Sequence, residues 1–204
     1  MTLCDGYGNS ISTNSADARD HYDRGVQLFL GADYGAGAAF AASVAADPDF
    51  ALGHAALARA LMMEGRMPEA KAAITRAETL VASANDREQS HVAAFAALFQ
   101  GNPKGARSTV RALVRDHPRD AMAAQLCTNV FGLIGFSGEV GREAELLAYT
   151  EALMPHYEGD WWMMSMHALS LCETGQIAAS RALMDRSLAL NPRNANAAHF
   201  RAHE

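Results

Sequence analysis

Five glycines recur along the chain at Gly31, Gly65, Gly101, Gly135 and Gly175, at spacings of 34, 36, 34 and 40 residues. Pro48, Pro118 and Pro192 keep the same time, each 17 residues after one of those glycines. A beat of this length is too short for a domain and fits a helix, a turn and a second helix stacked repeatedly. Glycine supplies the positive φ that ends the first helix of each pair, and proline stops the second. Alanine is the commonest residue and β-branched residues are few, which suits helices and disfavours strands. The expected fold class is all-α: antiparallel helix pairs, about ten helices and no sheet.

Counting from Ala51 places His54, Leu57, Ala58 and Leu61 along a first helix, Gly65 in the turn, and Ala70, Ile74 and Ala77 along a second. Starts at Arg87 and Trp161 reproduce the pattern, with Ala94 and Ala106, then Ala168 and Ser180, at the small positions where two helices approach closely. Asp120 and Asn194 stand where helix N-caps are wanted. This register resembles the tetratricopeptide repeat (TPR), which implies a right-handed α-solenoid.

The repeats divide the chain at about 15–50, 51–86, 87–120, 121–160 and 161–194, with a partial sixth over 195–204 and an irregular segment over 1–14. The first repeat is degenerate: its signature places hold Asp20, Asp23, Arg24 and Gln27, although Tyr22, Val26, Phe29 and Leu30 line one helical side. The fourth carries extra residues around Gly138-Glu139-Val140-Gly141, an enlarged turn before a helix at 142–154. The final helix lacks a following partner, so Ala198, Phe200 and Ala202 are expected to be uncovered. That end is expected to fray after Asn194 or to pair, which admits a homodimer.

Short runs narrow the resemblance. Asp47-Pro48-Asp49-Phe50-Ala51-Leu52-Gly53-His54, Arg87-Glu88-Gln89-Ser90-His91-Val92, His117-Pro118-Arg119-Asp120, Gly159-Asp160-Trp161-Trp162 and Ala198-His199-Phe200-Arg201-Ala202-His203 are similar to segments of the TPR-protein-38-like family. The resemblance runs from about Ala18 to Glu204 and implies a helical solenoid without an established enzymatic activity. It also implies that the chain corresponds to the N-terminal part of such proteins, so the missing C-terminal half is one expected occupant of its groove.

In TPR superhelices the concave face is lined by the second, fifth, ninth, twelfth and thirteenth positions of each first helix. Carried onto this chain, that rule selects Arg59, Met62, Glu88, His91, Gln125, Asn129, Trp162, Glu173, His199 and His203 as a mixed apolar and polar groove. Trp162 is expected at the groove surface and Trp161 deeper in the packing. The groove lacks the several lysines and arginines that hold a terminal carboxylate in chaperone-tail-binding TPRs. The expected function is a non-catalytic protein-interaction or scaffold module, with a protein or peptide partner and no cofactor. The alternative is a metal-binding protein or enzyme: His199 and His203 are one helical turn apart, and His91 or Glu173 could join them. That order of ligands matches no zinc-hydrolase signature, so no metal or catalytic residue is assigned.

Charge and cysteine usage bound the remainder. A net charge of −6 and a pI near 5.7 argue against non-specific binding to nucleic acid or anionic membranes. The uncharged run 121–138 holds Gln125, Thr128, Asn129 and Ser137, and is read as buried core plus a turn rather than a membrane span. Cys4, Cys127 and Cys172 are odd in number and unclustered, and the first residues lack an apolar targeting run. A cytoplasmic setting is the expectation.

Overall fold

Three of the beat glycines end a helix in the same way. In the computed structural model, which describes residues 2–202, Gly65, Gly101 and Gly175 have φ of 76°, 73° and 79°. The amide after each glycine reaches back to close the helix: Arg66 N–H donates to Leu61 O at 2.9 Å, Asn102 to Ala97 O at 2.9 Å and Gln176 to Leu171 O at 2.8 Å. This is the hydrogen-bond signature of a Schellman cap, and it turns the chain back for the second helix. The prolines mark an equally regular turn: Phe50, Asp120 and Asn194 each donate a backbone N–H to the residue three positions earlier, on the far side of Pro48, Pro118 and Pro192.

The described residues form eleven α-helices, three short 3-10 turns and one two-stranded ribbon. The chain divides into two compact units, Met1–Phe29 with Tyr34–Ala123 and Leu30–Asp33 with Ala124–Glu204. The first begins with β1 (Leu3–Cys4) and β2 (Ser10–Ile11), antiparallel with Leu3 opposite Ile11. It continues with α1 (Ala16–Leu30), α2 (Ala36–Ala46), α3 (Ala51–Met63), α4 (Met67–Leu80), α5 (Asp86–Phe99), α6 (Pro103–Asp116) and α7 (Ala121–Ala124). Helices α3 and α4, and α5 and α6, pack as antiparallel pairs. Ala58, Ala70, Ala77, Ala94 and Ala106 are fully buried in their seams. Gly25 lets α1 approach α2 closely, because a Cβ there would lie 2.5 Å from the Phe40 ring.

The second unit contains α8 (Arg142–Leu153), α9 (Trp161–Glu173), α10 (Ile177–Leu190) and α11 (Ala195–Arg201). Serine replaces alanine at two buried seam positions of the α9–α10 pair. Ser180 Oγ donates to Ala168 O and Ser187 Oγ to Trp161 O, both at 2.6 Å, so neither hydroxyl is left unsatisfied. Asn194, fully buried, accepts from Ala197 N–H at 3.1 Å and caps α11 as expected.

Three expectations need correction. A small sheet is present, built from residues read as irregular. Asp5 organises its turn by accepting from the amides of Tyr7 and Asn9 at 3.0 and 2.8 Å, with Gly8 at positive φ. The fourth repeat has no regular first helix: α7 is four residues long, a 3-10 turn follows at Gln125–Cys127, and turns continue to Gly141. Gly132 and Gly135 permit this tight path, since a Cβ would meet backbone at 2.8 and 2.5 Å respectively. Phe200 is 9% exposed rather than uncovered, although Ala198 and Ala202 are exposed. The chain stays helical past Asn194, with Ala195 N–H donating to Gly31 O at 2.8 Å and Arg201 pairing with Asp185 at 2.7 Å. No helix among the described residues is long and apolar enough to cross a membrane.

Candidate functional site

The residues selected from the sequence fall into different environments. On α3, Arg59 and Met62 are half-buried and Met63 is 64% exposed. The Arg59 guanidinium lies over the Phe29 ring, with Cζ 5.7 Å from its centroid. Its Nη1 is 3.2 Å from Met63 Sδ and 3.5 Å from Met62 Sδ. Nε is buried without a hydrogen-bond partner, and no carboxylate among the described residues pairs with the group. Burial alone lowers its pKa, to about 10. A guanidinium held this way stays charged at neutral pH and lacks its counter-ion.

One repeat later, Glu88 and His91 are not groove residues at all. Both are fully buried. Residues 7–13 lie over the start of α5: Ser12 N–H donates to Glu88 Oε1 at 2.9 Å, and Arg87 Nη2 donates to Ser10 O at 3.1 Å. Arg119 Nε donates to Tyr7 O at 2.7 Å. Tyr7 and Ile11 of this segment are themselves buried. Beneath them Asp120 ties α5 to the start of α7. Its carboxylate accepts from Arg87 Nη1 at 2.6 Å, lies 2.9 Å from His91 Nδ1 and accepts from Ala123 N–H at 3.2 Å. His91 in turn stacks on Phe95 at 4.6 Å and 7°. Burial opposes ionisation of Asp120, but His91 and Arg87 outweigh it and hold its carboxyl well below the usual range.

Two further carboxyls of this unit move the other way. Burial pushes Asp5 up against its hydrogen bonds from Asn9. Asp23 is pushed up to about 6, first by burial, despite accepting from Gly6 N–H at 2.8 Å. A carboxyl with a folded pKa above its ordinary 3.8 contributes most stability when protonated, and loses it as pH rises through 6. Asp23→Asn is therefore expected to gain stability over the parent above about pH 6 and to lose that advantage near pH 4. Thermal unfolding across that range checks it; a constant difference would contradict it.

In the second unit Gln125 sits in the 3-10 turn, half-buried, and Asn129 lies in the following loop, where its side chain accepts from Phe131 N–H at 2.8 Å. Trp162 is 1% exposed and meets Tyr157 edge-on at 5.6 Å, whereas Trp161 is half-buried. The expected order of the two rings is reversed. Counting assumed a regular first helix in the fourth repeat; without one, α9 packs against α8 and the segment before Asp160. Glu173 is exposed at the end of α9, and His199 is exposed on α11 with its ring against Phe200. His203 lies outside the described residues. Among the described residues no three His, Cys, Asp or Glu side chains converge closely enough to hold a metal ion. No disulfide joins the three cysteines among the described residues.

Neither the Phe29 platform under Arg59 nor the salt bridge behind the Asp120 cap is visible in the sequence. The cap position itself was the visible signal for Asp120. Nothing in a single sequence pairs Phe29 with Arg59, because they meet only once α1 and α3 are placed.

No family model matches the chain, and no curated protein matches it. Among solved structures, the crystal structure of YrrB, "a TPR protein with an unusual peptide-binding site", is similar over 93% of this chain and 94% of its own, at 16% identity and a TM-score of 0.48. The recurring glycine caps, proline turns and small-residue seams are those of stacked helix pairs. The described residues form an all-α array of helix pairs with one two-stranded ribbon.

Proposed function

We propose that the chain is a non-catalytic protein-interaction module that receives a partner segment on the α3 face of its first unit. The observation that carries this reading is Arg59: a charged, largely desolvated guanidinium without a carboxylate, beside an exposed methionine. A segment with a carboxylate next to an apolar side chain would supply what is missing, a counter-charge for Arg59 and an apolar group against Met62, Met63 and Phe29. This groove is narrower than the one selected from sequence, because Glu88 and His91 are already covered by residues 7–13. The runs Asp47–His54 and Arg87–Val92 support a place beside the TPR-protein-38-like family; three cysteines without the spacing of a disulfide framework support a cytoplasmic setting.

Calorimetric titration with N-acetyl-Leu-Leu-Met-Asp-Asp amide and its neutral counterpart N-acetyl-Leu-Leu-Met-Asn-Asn amide tests the reading. The acidic peptide is expected to bind about tenfold more tightly, and Arg59→Gln to abolish the difference. Equal affinities, or an Arg59→Gln variant that still prefers the acidic peptide, would contradict it.

A further inference from the structure

We infer that the second unit carries a separate docking site for an arginine-bearing segment of a partner protein, in a cavity between the loop before α8, α8 itself and the end of α9. The cavity encloses about 370 Å³ and is lined by Val130, Phe136, Arg142, Glu143, Leu146 and Glu173, among others. That volume suits a single large side chain and its neighbours. Leu146, 1% exposed, forms an apolar floor, while Phe136 is 76% exposed on the wall.

The charges at the cavity choose the occupant. Arg142 is already paired with Glu143 at 3.0 Å. Glu173 forms no ion pair among the described residues, and it is the last residue of α9, whose final turn contains no basic side chain. A helix C-terminus carries partial negative charge, so the carboxylate and the helix end favour the same thing: a cation. The apolar surroundings then select among cations. Phe131 and Phe136 are 80% and 76% exposed, with ring centroids 6.4 Å apart at 45°, and Val140 on the same loop is fully exposed. An arginine guanidinium stacks on an aromatic face and grips a carboxylate with two parallel hydrogen bonds, which a lysine ammonium cannot do. An apolar residue next to that arginine would cover the exposed Phe136 ring and Phe131 beside it. The chain's net charge of −6 favours the approach of a basic segment.

The test is backbone amide NMR on the isotope-labelled full chain, titrated with N-acetyl-Leu-Arg-Leu amide up to about 5 mM, a range suited to a short peptide. Shifts are expected at Val130, Gly135, Gly138 and Glu173. The same peptide with glutamate in place of arginine is expected to leave them unmoved, and the lysine version to bind more weakly. Glu173→Gln and Phe136→Ala, both exposed and so compatible with folding, are each expected to weaken binding by about fivefold or more. Overturning results are an equal response to the glutamate peptide, shifts confined to other regions, no shifts at the highest concentration, or unchanged binding by both variants. The site shares no residue with the α3 face, so either can fail while the other stands.

Discussion

Asp120→Ala is expected to destabilise the first unit by about 3–5 kcal/mol, the range for removing one partner of a buried ion pair. The carboxylate is nearly inaccessible and compensates the Arg87 charge at 2.6 Å, so its loss leaves a cation buried at 5% exposure. The same change removes the acceptor for Ala123 N–H and the partner of His91. Against a total stability of about 5–15 kcal/mol, such a loss would be plain in chemical denaturation followed by circular dichroism. A loss below about 1 kcal/mol would mean that the cluster is solvated. Acid should act on the parent in the same direction. Because the Asp120 carboxyl is held below its ordinary 3.8, its contribution is complete above that pH and is lost as pH falls further. Asp23 titrates with the opposite sign and at higher pH, which separates the two effects.

Trp162→Ala is expected to cost about 3–5 kcal/mol, as for other fully buried aromatic side chains replaced by alanine. Its ring is 1% exposed and held edge-on by Tyr157 at 5.6 Å. Trp161→Ala, at a half-buried position, should cost about 1 kcal/mol. In single-tryptophan variants acrylamide should quench Trp161 more strongly than Trp162. The reverse order would restore Trp162 to a groove and contradict the packing described above.

These two positions also show where sequence reasoning stops. Glycine caps at Gly65, Gly101 and Gly175 and the turns at Pro48, Pro118 and Pro192 were legible because each depends on local backbone conformation. The small positions Ala58, Ala70 and Ala77 were legible because the period repeats. The direction of Trp162 was not, since it depends on whether the preceding repeat is regular, and Gly132 and Gly135 let that repeat depart from a helix. The burial of Glu88 and His91 was hidden for a different reason. It depends on pairing across about 75 residues, through the polar, glycine-containing segment 7–13, whose own periodicity gives no sign of a strand. Arg59 was placed on the groove face by counting alone, but its missing counter-ion became visible only with Phe29 beneath it.

The central claim is that Arg59 awaits a carboxylate from a partner. The most direct measurement is the side-chain Nε–H resonance of Arg59 in the full chain, identified by its absence in Arg59→Lys, during titration with N-acetyl-Leu-Leu-Met-Asp-Asp amide. This resonance is expected to move with the acidic peptide, stay in place with the neutral one, and exchange more slowly with water at saturation. A resonance that does not move while the acidic peptide binds elsewhere would contradict it.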